Sequence, residues 1–184
     1  MKKDNNKLIF IILRYLVLIL LAINSLWLFY FIFTPLTIYP ILALLKLFSP
    51  AYLSSSLYNG AEVPTIIFSS YSIQLVQSCI AGAAYYLLVA LNLTTPMNLA
   101  KRIKSLSFIL ILFLFINILR ISIFSLLLVN SFSLFNTIHM IFWYFLSSIF
   151  IIAIWIAAIK LFNIKEIPVY SDLKFIYSKL KKAK

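Results

Sequence analysis

The chain has 184 residues, of which 64% are apolar and only 11% are charged, and its mean hydropathy is +1.08. This composition excludes a soluble globular domain and predicts one compact membrane-embedded bundle of a few helices. A formal net charge of +12 would suggest nucleic acid as the partner of a soluble chain. Here the basic residues lie in clusters between apolar runs, so we expect a membrane and no nucleic acid.

The predicted fold is all-α, a polytopic transmembrane helix bundle with four spans. The apolar runs are near or above the roughly 20 residues that a spanning helix needs, and they cover residues 8–33, 73–93, 105–129 and 140–162. The first run follows three lysines and is too long for a signal-peptide core, so we predict a retained signal-anchor helix. All six prolines lie outside these runs, as helix breakers should.

The segment between the first and second spans contains one more apolar stretch. Pro35 and Pro50 bound this stretch, which is too short to cross a bilayer. We therefore predict a short interfacial or re-entrant helix at 36–49. Residues 1–165 are expected to form a single transmembrane domain, and 166–184 a basic amphipathic tail on the cytoplasmic face.

The basic residues predict the direction of each span, because short loops rich in Lys and Arg stay in the cytoplasm. They cluster before the first span, between the second and third spans, and after the fourth span: Lys2, Lys3, Lys7, Lys101, Arg102, Lys104, Lys160, Lys165, Lys174, Lys179, Lys181, Lys182 and Lys184. We expect a multi-pass protein of the cell membrane with both termini in the cytoplasm.

Three rare residues carry the expected chemistry. The chain has one cysteine, Cys79, and one histidine, His139, and Arg120 lies within the apolar run 105–129. A cation in a spanning segment is costly and by default indicates a functional site. A single cysteine excludes an intrachain disulfide, and the sequence has no metal-binding pattern, so we predict no metal and no cofactor.

The predicted topology brings these residues to similar depths. At 1.5 Å per residue, Cys79 lies roughly 9 Å and Arg120 roughly 13 Å below the outer surface, where His139 begins the fourth span. A thiol beside a guanidinium and an imidazole is the arrangement that activates sulfur for nucleophilic attack. Cys79 as a buried hydrophobe, His139 as an interfacial residue, and Arg120 paired with backbone carbonyls or lipid phosphate are the alternatives.

Three neighbours are candidate supporting or substrate-binding residues. Gly82 lies one helical turn after Cys79 and leaves room for a substrate backbone or for close helix packing. Asn117 lies one turn before Arg120 and could orient it, bind a substrate carbonyl, or join two helices. Gln77 is expected at the outer mouth of the site.

The motifs around these residues resemble the exosortase and archaeosortase family. Gln77-Ser-Cys79-Ile-Ala-Gly82 is similar to the Cys-x-x-Gly motif that opens a span in that family. The sequence from Asn117 to Ile121 resembles its Asn-x-x-Arg-Ile motif, and His139 occupies the third position. The resemblance covers roughly residues 50 to 160. The chain departs from larger members in being short and in having Ile80 where a serine often follows the cysteine.

The resemblance implies a membrane cysteine protease or transpeptidase. Such an enzyme cleaves a carboxyl-terminal sorting signal of secreted proteins, composed of a motif, a transmembrane helix and a basic end, and transfers the new carboxyl terminus to an acceptor, expected to be a lipid. Cys79 would be the nucleophile, His139 the proton-transfer residue and Arg120 the stabiliser of charge. The alternative is a non-enzymatic transporter component or assembly factor in which Arg120 binds an anionic solute or lipid.

Overall fold

A computed structural model describes residues 2–23, 26–130, 135–166 and 168–183. In these ranges the chain forms helices joined by one small antiparallel sheet. The elements in chain order are α1 (Lys2–Ile23), α2 (Trp27–Lys46), β1 (Ala51–Tyr58), β2 (Ala61–Phe68), β3 (Tyr71–Gln74), α3 (Gln77–Ile80), α4 (Gly82–Thr94), α5 (Leu99–Val129), α6 (Phe135–Ile141), a π-helical segment (Phe142–Leu146), α7 (Ser147–Leu161) and α8 (Tyr170–Ala183).

Three helical stretches among the described residues are long and apolar enough to cross a membrane, which indicates a membrane protein. They are α2, the stretch Gln77–Thr94 that contains α3 and α4, and α5. The last two correspond to the predicted spans 73–93 and 105–129. The predicted span 140–162 lies in α6, the π-helical segment and α7, and α7 alone is shorter than a full span.

The first predicted span is divided differently in the structure. The run 8–33 belongs to two helices, α1 and α2, and Leu26 precedes α2 in the left-handed region with φ 57°. The carbonyl of Leu26 accepts hydrogen bonds from the backbone N–H groups of Phe29 and Tyr30, which starts the new helix. Neither glycine nor proline marks this break, so apolarity alone predicted one continuous helix.

The predicted short helix at 36–49 is also wrong as a separate element. Residues 36–46 continue α2, which contains Pro35 and Pro40. Buried side chains follow the helix on both sides of the prolines at helical spacing: Phe29, Phe33, Thr37, Ile38, Ile41 and Leu45. Burial of this continuous stripe favours one helix despite the two missing N–H groups.

The all-α prediction missed a three-stranded sheet in the order β1-β2-β3. β1 and β2 form a hairpin around Asn59 and Gly60, both with positive φ. An Asn-Gly pair between strands is a strong hairpin signal because both residues adopt positive φ readily. That signal is present in the sequence and could have predicted the hairpin.

Two apolar clusters hold the bundle together. One lies between α2, α4, α5 and α7 and contains Phe33, Tyr85 and Phe113, with the Phe33 and Tyr85 rings stacked at 3.6 Å. The second lies where the sheet packs on the carboxyl-terminal halves of α2 and α5; its buried members are Ile38, Ile41, Leu45, Ala51, Ile66, Phe68, Leu75 and Ile121. The sheet is therefore fixed to one end of the bundle.

The opposite end carries Lys101, Arg102 and Lys160, and we call the two ends the sheet end and the basic end. At the basic end Lys101 of α5 donates to the carbonyl of Asn163, just after α7. Arg14 of α1 forms an ion pair with Asp172 of α8, which ties the tail helix to the bundle. Cys79, in α3, lies at the sheet end.

Candidate functional site

Cys79 lies in a single helical turn that is separated from the rest of its helix. Ala81 adopts the left-handed conformation, with φ 60° and ψ 41°, between α3 and α4. In a continuous helix the N–H groups of Ala83 and Ala84 would donate to the carbonyls of Cys79 and Ile80. Here Ala84 donates to the carbonyl of Ala81, and no backbone donor reaches either carbonyl among the described residues, so both need donors from outside the helix. A left-handed alanine costs about 1–2 kcal/mol, so neighbouring contacts must stabilise this break.

Two side chains of α5 supply those donors. Nδ2 of Asn117 donates to the carbonyl oxygens of Cys79, at 3.1 Å, and Ile80, at 3.5 Å. Nη2 of Arg120 donates to the carbonyl oxygen of Cys79 at 3.2 Å. Asn117 is only 3% exposed, so little water can replace it. Asn117 and Arg120, which match the Asn-x-x-Arg-Ile motif, thus hold the helical turn that carries Cys79 of the Cys-x-x-Gly motif.

Arg120 also contacts the helix that follows His139. Its Nη1 donates to Oγ of Ser147 at 3.0 Å, and that hydroxyl donates to the carbonyl of Phe142 at 2.9 Å. Phe142 begins the π-helical segment, a helix form found frequently at functional sites. Ser147 was not among the predicted site residues. The Ser147-Ser148 pair in an otherwise apolar run is the signal that could have found it.

His139 lies on α6 against two aromatic rings. Its ring stacks on Phe135 with a centroid separation of 5.5 Å and contacts the edge of Phe124 at 5.3 Å. These contacts fix the imidazole on the side of α5 that also carries Arg120. Residues 131–134, in the predicted outer loop just before α6, lie outside the described residues.

Cys79, Arg120 and His139 line one pocket of 350 Å³. The remaining wall is formed by β3 and its continuation on one side and by apolar residues of α5, α6 and the π-helical segment on the other. The volume lies within the range typical of small-molecule and cofactor sites, about 300–1,000 Å³. The structure therefore brings the three rare residues together, although Cys79 and Arg120 are 41 positions apart in the chain.

The supporting candidates have different positions. Gly82 is buried, and a Cβ there would lie 2.7 Å from the ring of Tyr30, so glycine allows α4 to pack closely on α2. Asn117 joins two helices rather than facing the pocket. Gln77 is exposed and lines a second, larger groove of 1060 Å³. That groove lies between the end of the β1–β2 hairpin and helices α3, α4 and α7, and it shares Arg120 and Tyr58 with the pocket.

The basic end contains a polar contact that the sequence analysis missed. Arg14 lies inside the predicted span 8–33, and Asp172 lies in the tail, where no role was assigned to it. In the structure Asp172 is 3% exposed, pairs with Arg14 and accepts a hydrogen bond from the hydroxyl of Tyr15 at 3.2 Å. An arginine in an apolar helix and an acid at helical spacing within a basic tail are complementary, which is the signal for this pair.

The site offers a thiol, an imidazole and a guanidinium in one apolar pocket. Among the described residues no group of three or more His, Cys, Asp and Glu side chains could hold a metal ion. Comparison of the chain with protein-family models, with curated proteins and with solved structures finds no match. The functional interpretation therefore depends on the residues and their geometry.

Proposed function

We propose that this chain is a membrane cysteine transpeptidase of the exosortase and archaeosortase type. Its substrates would be secreted proteins with a carboxyl-terminal sorting signal. The observation that carries the proposal is the single pocket lined by Cys79, Arg120 and His139. Among the described residues these are the chain's only thiol, its only imidazole and a partly buried guanidinium, and they come from three separate elements.

The proposed reaction has two acyl-transfer steps. The Cys79 sulfur attacks the carbonyl carbon of the scissile peptide bond, and the thiol proton passes to the imidazole of His139. Collapse of the intermediate breaks the C–N bond, and the leaving amine takes the proton from the imidazolium. A hydroxyl or amine of the acceptor, expected to be a lipid, then attacks the thioester and delivers its proton through His139 to the departing sulfur.

Arg120 has two roles in this proposal. It positions the nucleophile, because it donates to the backbone carbonyl of Cys79 itself. It also stabilises the oxyanion of the intermediate, because each terminal guanidinium nitrogen has a second N–H beyond the one donated to Cys79 or Ser147. The apolar walls of the pocket strengthen both interactions and limit competing hydrolysis.

The proposed orientation follows from the two ends of the bundle. Lys and Arg residues near span ends mark the cytoplasmic side, and Lys101, Arg102 and Lys160 belong to the basic end. The basic end would therefore face the cytoplasm and the sheet end, with Cys79, the outer surface. A secreted substrate held by its own transmembrane helix would present its scissile bond on that side.

A non-enzymatic role is the competing hypothesis. Both terminal nitrogens of Arg120 donate to acceptors of the chain, which favours a structural arginine over one that binds a free anionic solute or lipid. In that case Cys79→Ala would leave function intact, whereas Arg120→Ala would weaken the fold. The two hypotheses therefore predict different effects of Cys79→Ala on function: loss if the chain is a cysteine transpeptidase, and no change if it is not an enzyme.

The deciding experiment is the capture of an acyl-enzyme in the native membrane. Cys79 is the only cysteine, so a polypeptide joined through a thioester has one possible position on the chain. We expect a polypeptide adduct on the wild-type chain that hydroxylamine releases at neutral pH, an adduct on Cys79→Ser that is released only by alkaline hydroxylamine, and none on Cys79→Ala. An adduct on Cys79→Ala, or none on the wild type when acceptor is depleted, would contradict the proposal.

A further inference from the structure

β3 is an edge strand that leads directly to Cys79. The sheet order is β1-β2-β3, and β3 pairs with β2 through residues 71–74, so its other side is open among the described residues. After Gln74 the chain continues through Leu75 and Val76 into α3. Only four residues separate the end of the strand from the proposed nucleophile.

The hydrogen-bonding pattern defines which backbone groups lie on the open side. The N–H of Leu75 donates to the carbonyl of Pro64 at 2.9 Å, which makes these two residues a bonded pair. Bonded and non-bonded pairs alternate in an antiparallel ladder. Ile73 is therefore bonded to β2, and the N–H and C=O groups of Ser72 and Gln74 point away from it.

This open edge forms one wall of the pocket that contains Cys79. Five consecutive residues from Ser72 to Val76 line the pocket together with Cys79, Arg120 and His139. Successive side chains of a strand point to opposite faces, so a cavity on one face would be lined by alternate residues. Consecutive lining residues indicate that the pocket lies along the edge of the strand, and Tyr58, at the hairpin end of β1, also reaches its lining.

The facing wall is apolar and helical. It is lined by Ile121, Phe124, Leu128, Phe135 and Phe142. These side chains offer no hydrogen bonds to a peptide backbone, and the hydroxyl of Ser125, which also lines this wall, donates to the carbonyl of Ile121. The outward groups of β3 are therefore the backbone-like partners in the pocket. A ligand that forms backbone hydrogen bonds along one edge and places apolar side chains along the other would match both the strand edge and the helical wall.

We infer that β3 binds an extended segment of the substrate polypeptide as an added strand, which delivers the scissile carbonyl to Cys79. This inference rests on the proposed function and names how the substrate is held. Strand addition recognises backbone through hydrogen bonds and side chains through pockets on alternate positions. The substrate segment would pair with Ser72 and Gln74 and place apolar side chains against the helical wall.

The test uses electrophilic peptides as probes and the full chain in detergent. The probes are N-acetyl-tetraalanyl chloromethyl ketone and two isomers with N-methyl groups on alternate amides, either the first and third or the second and fourth. Cys79 sulfur displaces chloride, so a C–S bond forms as the C–Cl bond breaks. Rates are measured at about pH 9, where an ordinary thiol is also largely ionised. They are therefore measurable whether or not Cys79 is activated.

Strand pairing predicts a rate that depends on the methylation register. One N-methyl isomer should react about five-fold or more slowly than the parent, and the other within two-fold of it, because only alternate amides face β3. Ser72→Pro removes an outward N–H and should slow the parent probe by about five-fold. Ser55→Pro, on the open edge of β1, is the matched control and should leave the rate unchanged.

Iodoacetamide separates this inference from the proposed function. It needs no strand pairing, so its rate should be equal in wild type, Ser72→Pro and Ser55→Pro. Equal rates for the two N-methyl isomers would overturn strand addition even if the acyl-enzyme is captured. A register-dependent rate would support it even if Cys79 reacts with iodoacetamide at about pH 7 no faster than cysteine in an unstructured peptide.

Discussion

Arg102 and Arg120 lie on the same helix, 18 positions apart, and make the same kind of contact at opposite ends of the bundle. Arg102 donates to the carbonyls of Leu93 and Thr95, at 2.9 and 3.1 Å, where α4 ends. Arg120 donates to the carbonyl of Cys79, where the same helical stretch begins. Each forked guanidinium thus satisfies carbonyls left without helical donors.

The surroundings of the two arginines differ. Arg102 shares a groove of 480 Å³ with Arg14 and Asp172, so a carboxylate offsets positive charge at the basic end. Arg120 shares its pocket with Cys79 and His139, and no carboxylate pairs with it among the described residues. An arginine's hydrogen bonds therefore show what it stabilises, whereas its other neighbours indicate what chemistry it can assist.

Replacing each arginine by lysine should separate these roles most strongly. Arg120→Lys keeps the charge but loses the fork, so we expect the rate of acyl-enzyme formation to fall by about 10²–10³-fold, as when one oxyanion donor is lost. Arg102→Lys should lower the thermal midpoint in detergent while the folded fraction forms acyl-enzyme normally. Equal losses of rate in the two variants would mean that both arginines act only through the fold.

The ion pair at the basic end should contribute to stability without affecting the site. Asp172→Asn leaves the Arg14 guanidinium in an apolar groove without a counter-charge, and we expect a loss of about 3 kcal/mol in the free energy of unfolding. The matched control is Glu166→Gln, because Glu166 is an exposed acid of the same region that accepts a hydrogen bond from Ser171. It should change stability by less than about 0.5 kcal/mol. Comparable losses in both variants would argue against the pair.

Buried asparagines give a similar comparison between the two ends. Asn117 donates to the Cys79 carbonyl, and Asn92 donates to Oγ of Ser105 at 2.7 Å near the basic end. Each change to alanine should cost about 1–2 kcal/mol of stability. Only Asn117→Ala should also alter the iodoacetamide reaction rate of Cys79, since only it removes support from the α3 turn. An unchanged rate would show that Arg120 alone holds that turn.

The smallest expected effect concerns the backbone at the break before α4. Ala81→Gly should raise stability by about 0.5–1 kcal/mol because glycine adopts positive φ without a Cβ penalty. Ala83 lies two positions later, in the first turn of α4, and Ala83→Gly should lower stability by a similar amount. Thermal denaturation in detergent measures both. A destabilised Ala81→Gly would mean that the left-handed alanine is not strained.

Much of the site could be expected from the sequence, and much of its detail could not. The order of spans and a helical rise of 1.5 Å per residue were enough to predict that Cys79, Arg120 and His139 lie near each other. They could not predict that Arg120 reaches the backbone carbonyl of Cys79, because that contact depends on the left-handed turn at Ala81. The hydrogen bond between Arg120 and Ser147 could not be predicted either, because it forms only when α7 packs against α5.

The sequence by itself determined that the chain is a membrane protein, where two of its three long apolar helices lie, and which residues are chemically exceptional. Hydropathy and charge are sums over neighbouring residues, so they can be read without knowing any partner. Only the tertiary structure decided that α1 and α2 are separate, that α2 continues through two prolines, that the sheet packs beside Cys79, and that Arg14 pairs with Asp172. These features depend on contacts between residues far apart in the chain, where burial and hydrogen bonding outweigh local preference.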